Sequence, residues 1–334
     1  MDVSSSLTRH TMPSLHRLAL PLSLGLAALC NGAQAYELPS VNLGLTTFVD
    51  GAPPPGGPGL YLMSYLQPYS ADHFKDQHGD DLPFPKSEVR VVPWVNQFVY
   101  HSDVTVLNAQ LGGMLLLPAV MSASLEDGAG GAILGATQTG MGDPVLGAYL
   151  QWLPVMGEQG PVFSHRVELD VTLPMGAYDK TKGLNPGANH TSIEAYWSGT
   201  WWVTPKVTAS SRFFYLWNGK NSDPLATRFA SHGIAEANDY QAGQAVHANL
   251  ALDYQLTPQW RVGLAGYWLQ QTTETKVNGE ALSGSKEHVV GIGPGAMFSF
   301  DMKNHLVFNQ YTEMAARNRT EGQRMTLRYI HQFN

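Results

Sequence analysis

From residue 59 to the C-terminus, apolar and polar side chains alternate with a period of two, in runs of 10–16 residues. The segment 240–256 shows the pattern well. One face carries Tyr240, Ala242, Val246, Ala248, Leu250, Leu252, Tyr254 and Leu256, broken only by Gln244. The other carries Gln241, Gly243, Ala245, His247, Asn249, Ala251, Asp253 and Gln255. Successive side chains of a strand point to opposite faces, so such a run is a strand with one apolar and one polar surface. Strands of soluble sheets average about 5–6 residues, whereas a tilted strand crossing a bilayer needs about 9–11. The last segment repeats the pattern: Met325, Leu327, Tyr329, His331 and Phe333 alternate with Arg324, Thr326, Arg328, Ile330 and Gln332. Bacterial outer-membrane proteins usually end on an amphipathic strand with a terminal aromatic, here displaced by one position because Asn334 follows Phe333.

Applied along the chain, the alternation predicts twelve strands, near 60–68, 87–101, 104–117, 142–153, 162–174, 190–204, 206–217, 239–256, 258–272, 286–301, 304–316 and 322–333. Their connections alternate in length. Short turns are expected at Ser102-Asp103, 157–160, Thr204-Pro205, Thr257-Pro258 and 301–304. Long polar or Gly-rich loops are expected at 69–86, 118–141, 175–189, 218–238 and 273–285, and the last hairpin loop, 317–321, is brief. An even strand number with short turns at one end and longer loops at the other is the signature of a transmembrane β-barrel. Trp260 follows a short turn, while Tyr215, Trp217 and Trp268 lie towards the long loops, where aromatic girdles belong. A soluble β-sandwich is the competing fold, but it would have to bury the apolar face of twelve long strands and would keep its edge strands, which only closure removes. The expected fold is all-β: a transmembrane antiparallel up-and-down barrel of about twelve strands, residues 59–334, behind a Pro/Gly-rich N-terminal leader.

Composition narrows the picture further. Of 334 residues only 14% are charged, against about 25% in an average soluble domain. Disordered chains are charge-rich and aromatic-poor, and this chain is 10% aromatic. Beyond the N-terminus no apolar run exceeds the mixed stretch 111–121, short of the roughly 20 residues a membrane helix needs. Residues 1–35 read as a secretory signal: Arg9 and Arg17 precede the apolar run 18–30, and Ala33-Gln34-Ala35 supplies the cleavage site before Tyr36. Met12 is an alternative start. A buried N-terminal helix is the competing reading of this stretch. Cys30 does not make a lipoprotein signal, because Leu29 is larger than the residue such a signal places before its cysteine. Cleavage there would remove Asp2, Arg9, Arg17 and Cys30, moving the formal charge from −7 to −8 and leaving no cysteine. An acidic chain gives no support for nucleic-acid binding. Residues 36–58, with Gly51-Ala-Pro-Pro-Pro-Gly-Gly-Pro-Gly59, cannot continue a sheet because proline lacks the N–H. A disordered linker is the simpler reading, and a partial plug folded into the lumen is the alternative.

Turning the polar faces inward populates a lumen. It would hold Glu88, Arg90, Trp94, Asn96, Phe98, Asn108, Gln110, Tyr149 and Gln151. It would also hold Arg166, Glu168, Asp170, Glu194, Tyr196, Trp202, Arg212 and Phe214, then His247, Asn249, Asp253, Arg261, Tyr267, His305, Asn309, Tyr311, Glu313 and Arg328. Glu313 is expected near Arg328, and Asp253 near Arg261. Twelve strands enclose a narrow space, well below the 16–18 of wide porins, so these charges must pair or stay hydrated and each reads first as a structural strut. A solute path would be lined by Trp94, Tyr196, Trp202, Tyr267 and Tyr311, with Glu313 and Arg328 beside them. Rings with scattered polar groups suit a small aromatic or other apolar solute better than a sugar or an ion.

Signals for catalysis are weak. G-x-S-x-G, H-E-x-x-H, a P-loop and a cysteine pair are all absent, so no catalytic residue, metal or cofactor is assigned. Ser164 and His165 are adjacent on a strand and point to opposite faces; Ser231-His232 falls in a long loop. Asn189-His-Thr191 and Asn318-Arg-Thr320 match the glycosylation sequon, a triplet that arises readily by chance.

Several segments carry a family resemblance. Pro53-Pro-Pro-Gly56 before Gly59-Leu-Tyr61, Gly140-Met-Gly-Asp-Pro144, Leu173-Pro-Met-Gly-Ala-Tyr-Asp179 and Asn185-Pro-Gly-Ala-Asn189 are followed in register by three more. These are Gly266-Tyr-Trp-Leu-Gln-Gln271, Gly291-Ile-Gly-Pro294 and Arg317-Asn-Arg-Thr-Glu-Gly322. Together they resemble the outer-membrane proteins associated with phenol meta-cleavage pathways, over nearly the whole mature chain. Met175 where threonine is usual, and Asn189-His190-Thr191 in place of a more aromatic sequence, are departures. The resemblance implies a role in uptake of aromatic compounds and brings no catalytic residues with it. The expected function is therefore a monomeric outer-membrane barrel, surrounded by outer-membrane lipid, that passes or binds small hydrophobic, aromatic solutes. A barrel-embedded hydrolase acting on the envelope, or a structural or adhesive surface barrel, are the alternatives. For the glycine-rich motifs, backbone geometry at turns is the first reading and solute contact the second.

Overall fold

The computed structural model describes residues 41–130, 134–229 and 232–333. The signal-sequence reading of residues 1–35 lies outside the described residues, as do Ser231 and residues 36–40 of the leader.

Twelve antiparallel strands close into a barrel. In chain order they are β1 (Gly59–Leu66, continued after a break as Tyr69–Phe74), β2 (Glu88–Val106), β3 (Ala109–Glu126), β4 (Val145–Gly157), β5 (Gly160–Thr172) and β6 (Ser192–Thr204). The second half comprises β7 (Val207–Asn218), β8 (Ala245–Gln255), β9 (Trp260–Gln271), β10 (His288–Ser299), β11 (Asn304–Arg317) and β12 (Thr320–Gln332). Each pairs with its neighbours in sequence, and the seam between first and last strand runs from Tyr61 opposite Gln332 to Leu66 opposite Leu327. Closure satisfies every ladder without an edge, the condition a sheet must meet inside hydrocarbon. The alternation predicted for 240–256 is realised in β8: Leu250, Leu252 and Tyr254 point outward, while His247, Asn249 and Asp253 are buried in the lumen.

The hairpin of β2 and β3 departs from expectation. The turn predicted at Ser102-Asp103 is a bulge instead. Ser102 Oγ donates to the Leu111 carbonyl at 2.6 Å, and the register shifts between His101 and Thr105. The chain reverses at Leu107 and Asn108, both at positive φ (52° and 61°), the geometry of a two-residue I′ turn. A leucine is not a turn former, so its sequence hides the turn. At the other end β3 runs on to Glu126, through what reads as loop, because residues 119–126 pair with 88–94 of β2. Likewise Tyr69–Phe74, read as loop, extends β1 between β12 and β2.

The leader from Val41 onward lies inside the barrel, in contrast to a disordered linker. Gly44 donates its N–H to Asn249 Oδ1 (2.9 Å), and its carbonyl accepts from Tyr311 (3.1 Å) and Thr326 (3.2 Å). Thr47 donates to Asn309, Gly51 donates to Thr200 Oγ1, and the Gly51 carbonyl accepts from Gln151. Asp50 receives two bonds of 2.7 Å from Arg212. Val41, Leu43 and Phe48 pack into one apolar cluster with Tyr267, Val307 and Tyr311. Gly44 must be glycine: its φ is +71°, and a Cβ there would lie 2.6 Å from the Tyr311 ring. A proline-rich segment has few backbone donors to satisfy, and here the wall side chains supply the partners that a sheet would.

Candidate functional site

The lumen is the candidate site, and two layers of side chains fill it around the leader. One layer gathers Arg166, Glu168, Tyr196, Arg212, Phe214 and His247, all buried. Arg166 donates to Gln151 Oε1 (2.9 Å) and lies 4.1 Å above the Tyr149 ring; Arg212 lies 4.2 Å above that of Tyr196. Tyr196 donates to Glu168. His247 stacks on Phe214 at 4.0 Å, with Nε2 2.7 Å from Glu194. The second layer centres on Glu313, which accepts from Tyr267 (2.8 Å), Tyr69 (2.7 Å) and the Gly322 N–H (3.0 Å), with Arg324 3.6 Å away. Such mixed stacking and ion pairing holds long polar side chains in one geometry inside a narrow barrel.

The residues singled out from sequence fall into three groups. Tyr196, Tyr267, Tyr311, Glu313 and Arg328 are buried in the lumen. Trp202 shares the inward parity of buried Ser198 and Thr200 and stands at the short-turn rim, half-buried. Trp94 is on the opposite surface: it is 43% exposed on the outer wall, where its indole N–H donates to Ser64 Oγ at 2.9 Å. Phe98 shares that outer face, and Asn108 stands exposed in the turn. Glu88 and Arg90 pair with each other at 2.5 Å outside, near the long loops. The inward residues of β2 are Val95, Gln97, Val99 and His101. Both faces of β2 are largely apolar, so polarity carries no phase there, and a shift of one residue exchanges the two surfaces.

Of the two expected ion pairs, Asp253 with Arg261 forms. Glu313 pairs with Arg324 rather than Arg328, which stands opposite Tyr65 of β1. Arg324 lies on the same face, two pleat repeats nearer the long loops, and sequence spacing does not distinguish the two.

The glycine-rich motifs converge on one knot at the long-loop end. Asp143 accepts the Gly176 N–H at Oδ1 (2.8 Å) and the Ala188 N–H at Oδ2 (2.7 Å), tying segments 140–144, 173–179 and 185–189 together. A Cβ on Gly176 would stand 2.5 Å from the Gly142 carbonyl carbon, so the three chains approach backbone to backbone. These motifs therefore serve geometry. Asn189 and Asn318 also have structural partners, the former at Asn221 (3.0 Å) and the latter at the carbonyls of Gly284 (2.7 Å) and Lys286 (2.9 Å). Ser164 faces the lumen and donates to the Trp152 carbonyl (2.9 Å), while His165 faces outward, stacked on Trp152 at 4.4 Å. On the outer wall, Leu111, Leu150, Val167, Leu169, Trp197 and Phe213 surround Ala148 and Ala195 in an open apolar concavity of about 770 Å³.

A closed barrel of twelve membrane-length antiparallel strands defines an outer-membrane β-barrel fold. The chain belongs to the family described as the putative MetA-pathway of phenol degradation, whose model matches residues 71–329. Among solved structures, the COG4313 outer membrane channel from Pseudomonas putida F1 is similar at a TM-score of 0.72 and 19% identity, covering 88% of this chain and 100% of that one. The KdgM porin gives a TM-score of 0.39 at 8% identity, covering 81% of this chain and 99% of that one, and shares only the barrel outline. No curated protein matches the chain.

Proposed function

We propose that this chain is an outer-membrane channel that admits small hydrophobic, aromatic solutes in support of phenol meta-pathway degradation. The observation that carries this reading is the filled lumen. Segment 41–58 and the two layers of paired side chains occupy a lumen already narrower than that of the larger barrels that hold wide water-filled pores. A passage that must be threaded between tyrosine and phenylalanine rings favours a flat apolar solute over a hydrated one. Membership of the phenol-degradation family supports the same class of solute. The chain acts as a monomer in this reading, its outer wall covered by lipid, with residues 1–35 removed as a signal on export. The barrel-embedded hydrolase finds no support in Ser164 and His165, which lie on opposite faces of β5.

The test is uptake of radiolabelled phenol and toluene at low concentration by cells with and without the gene. Deletion is expected to slow uptake and growth on the dilute aromatic while leaving growth on succinate unchanged. Equal uptake by both strains across several aromatics would remove the transport reading.

A further inference from the structure

Four arginines of the lumen each face a carboxylate. Arg166 reaches Glu168 at 3.7 Å, Arg212 reaches Asp50 at 2.7 Å, Arg324 reaches Glu313 at 3.6 Å, and Arg261 pairs with Asp253. Arg328 breaks the pattern. It is 6% exposed, on the inner face of β12 towards the short-turn end, and among the described residues it makes no ion pair. Across the sheet it faces Tyr65 of β1 and Val307 of β11, with its guanidinium carbon 5.9 Å from the Tyr65 ring centre. Its Nε meets no acceptor. Asp50, the one acid in segment 41–58, is committed to Arg212 through both oxygens.

Two further donors beside it are unanswered. Asn309 is 1% exposed; its Oδ1 accepts from Thr47, but its Nδ2 has no partner. His305 is 4% exposed; its Nδ1 lies 2.8 Å from Ser299 Oγ, and its Nε2 has no partner. When the serine hydroxyl donates to Nδ1, Nε2 carries the hydrogen. Asn309 and His305 stand two residues either side of Val307, the residue opposite Arg328, and strand alternation puts all of them on one stretch of inner wall. Three N–H groups without a hydrogen-bond partner, one of them on a cation that has the Tyr65 hydroxyl but no carboxylate beside it, thus share one buried stretch of wall. Buried cations in proteins are paired, and unpaired donors away from bulk water are costly.

We propose that Arg328, Asn309 and His305 form a binding site for a small organic carboxylate, with the Tyr65 and Tyr311 rings as its apolar border. A guanidinium fork matches a carboxylate in two parallel hydrogen bonds, and the amide and imidazole N–H groups complete the shell of the anion. The flanking rings favour an aromatic acid. The site concerns an anion, goes beyond passage of neutral solutes, and does not depend on it.

Benzoate is the probe, and the purified full-length barrel in detergent is the sample, so that binding is read apart from transport. Isothermal titration is expected to show benzoate binding that acetate competes for and toluene does not, and benzoate should raise the unfolding temperature on heat-shift gels. Arg328→Gln should weaken binding at least tenfold and abolish the thermal shift, Asn309→Ala should weaken it several-fold, and Arg261→Gln, at a satisfied pair, should leave benzoate affinity unchanged. The Asn309→Ala arm stands if Arg328→Gln does not fold. Absence of benzoate binding to the unaltered protein at millimolar concentration, or equal affinity in Asn309→Ala and the unaltered protein, would overturn the site and leave the donors merely hydrated.

Discussion

Asp143 shows how much one side chain can organise. Its two oxygens hold the amides of Gly176 and Ala188, residues that are 33 and 45 positions away. Hydrogen bonds to a buried charged acceptor contribute about 1.5–3 kcal/mol each, so Asp143→Ala is expected to loosen the long-loop end. Protease cleavage within 173–189 and a lower unfolding temperature on heat-shift gels measure it, with Asp143→Asn intermediate because one acceptor survives. Trp94 makes the opposite point. It faces the outer wall, so Trp94→Ala should leave aromatic uptake at the unaltered level, whereas Tyr267→Ala, which removes a ring and the hydroxyl bonded to Glu313, should change both uptake and stability. The motifs around Asp143 were visible in the sequence as turns; that they converge on one carboxylate was not, because no local spacing links residues in three separate loops. The side of Trp94 is hidden from the sequence for a different reason: on a strand apolar on both sides, nothing local chooses which side meets lipid.

At the level of elements, the leader is the informative case. Its composition excludes a strand and says nothing of where the segment lies. Its position follows from groups scattered over the chain: Asn249, Tyr311 and Thr326 at Gly44, Thr200 and Gln151 at Gly51, Arg212 at Asp50. Removing one partner of a buried ion pair costs about 3–5 kcal/mol, since the survivor is left unbalanced. Arg212→Met should therefore release the leader, read as protease access to 41–58 and as higher single-channel conductance. The double variant Arg212→Met with Asp50→Asn should be less destabilised than the sum of the single changes. Unaltered conductance in Arg212→Met would mean that the remaining hydrogen bonds hold the leader unaided. The β2–β3 hairpin teaches a related lesson, because Ser102-Asp103 has turn chemistry yet forms a bulge, with pairing to β3 resuming beyond it at Thr105 opposite Gln110 and Val106 opposite Ala109.

For the whole molecule, the alternation of short turns and long loops sets the orientation in the membrane. The short-turn end is expected in the periplasm and the long loops outside. The only cysteine, Cys30, lies in the stretch read as a signal, so single-cysteine variants report cleanly. A membrane-impermeant maleimide should label Glu280→Cys on intact cells and should label Lys206→Cys only after lysis. The reverse pattern would invert the orientation.

The sequence by itself determined the number of strands, their membrane-spanning length, the closed antiparallel order and the polar interior. Each of these follows from a period of two repeated over local windows, and from the need of a membrane sheet to close. Only the tertiary structure decided the phase of β2, the place of the leader, the choice of Arg324 over Arg328 by Glu313, and the convergence of three motifs on Asp143. Those features rest on contacts between residues far apart in the chain, whose energies depend on distance and burial, and local periodicity carries neither.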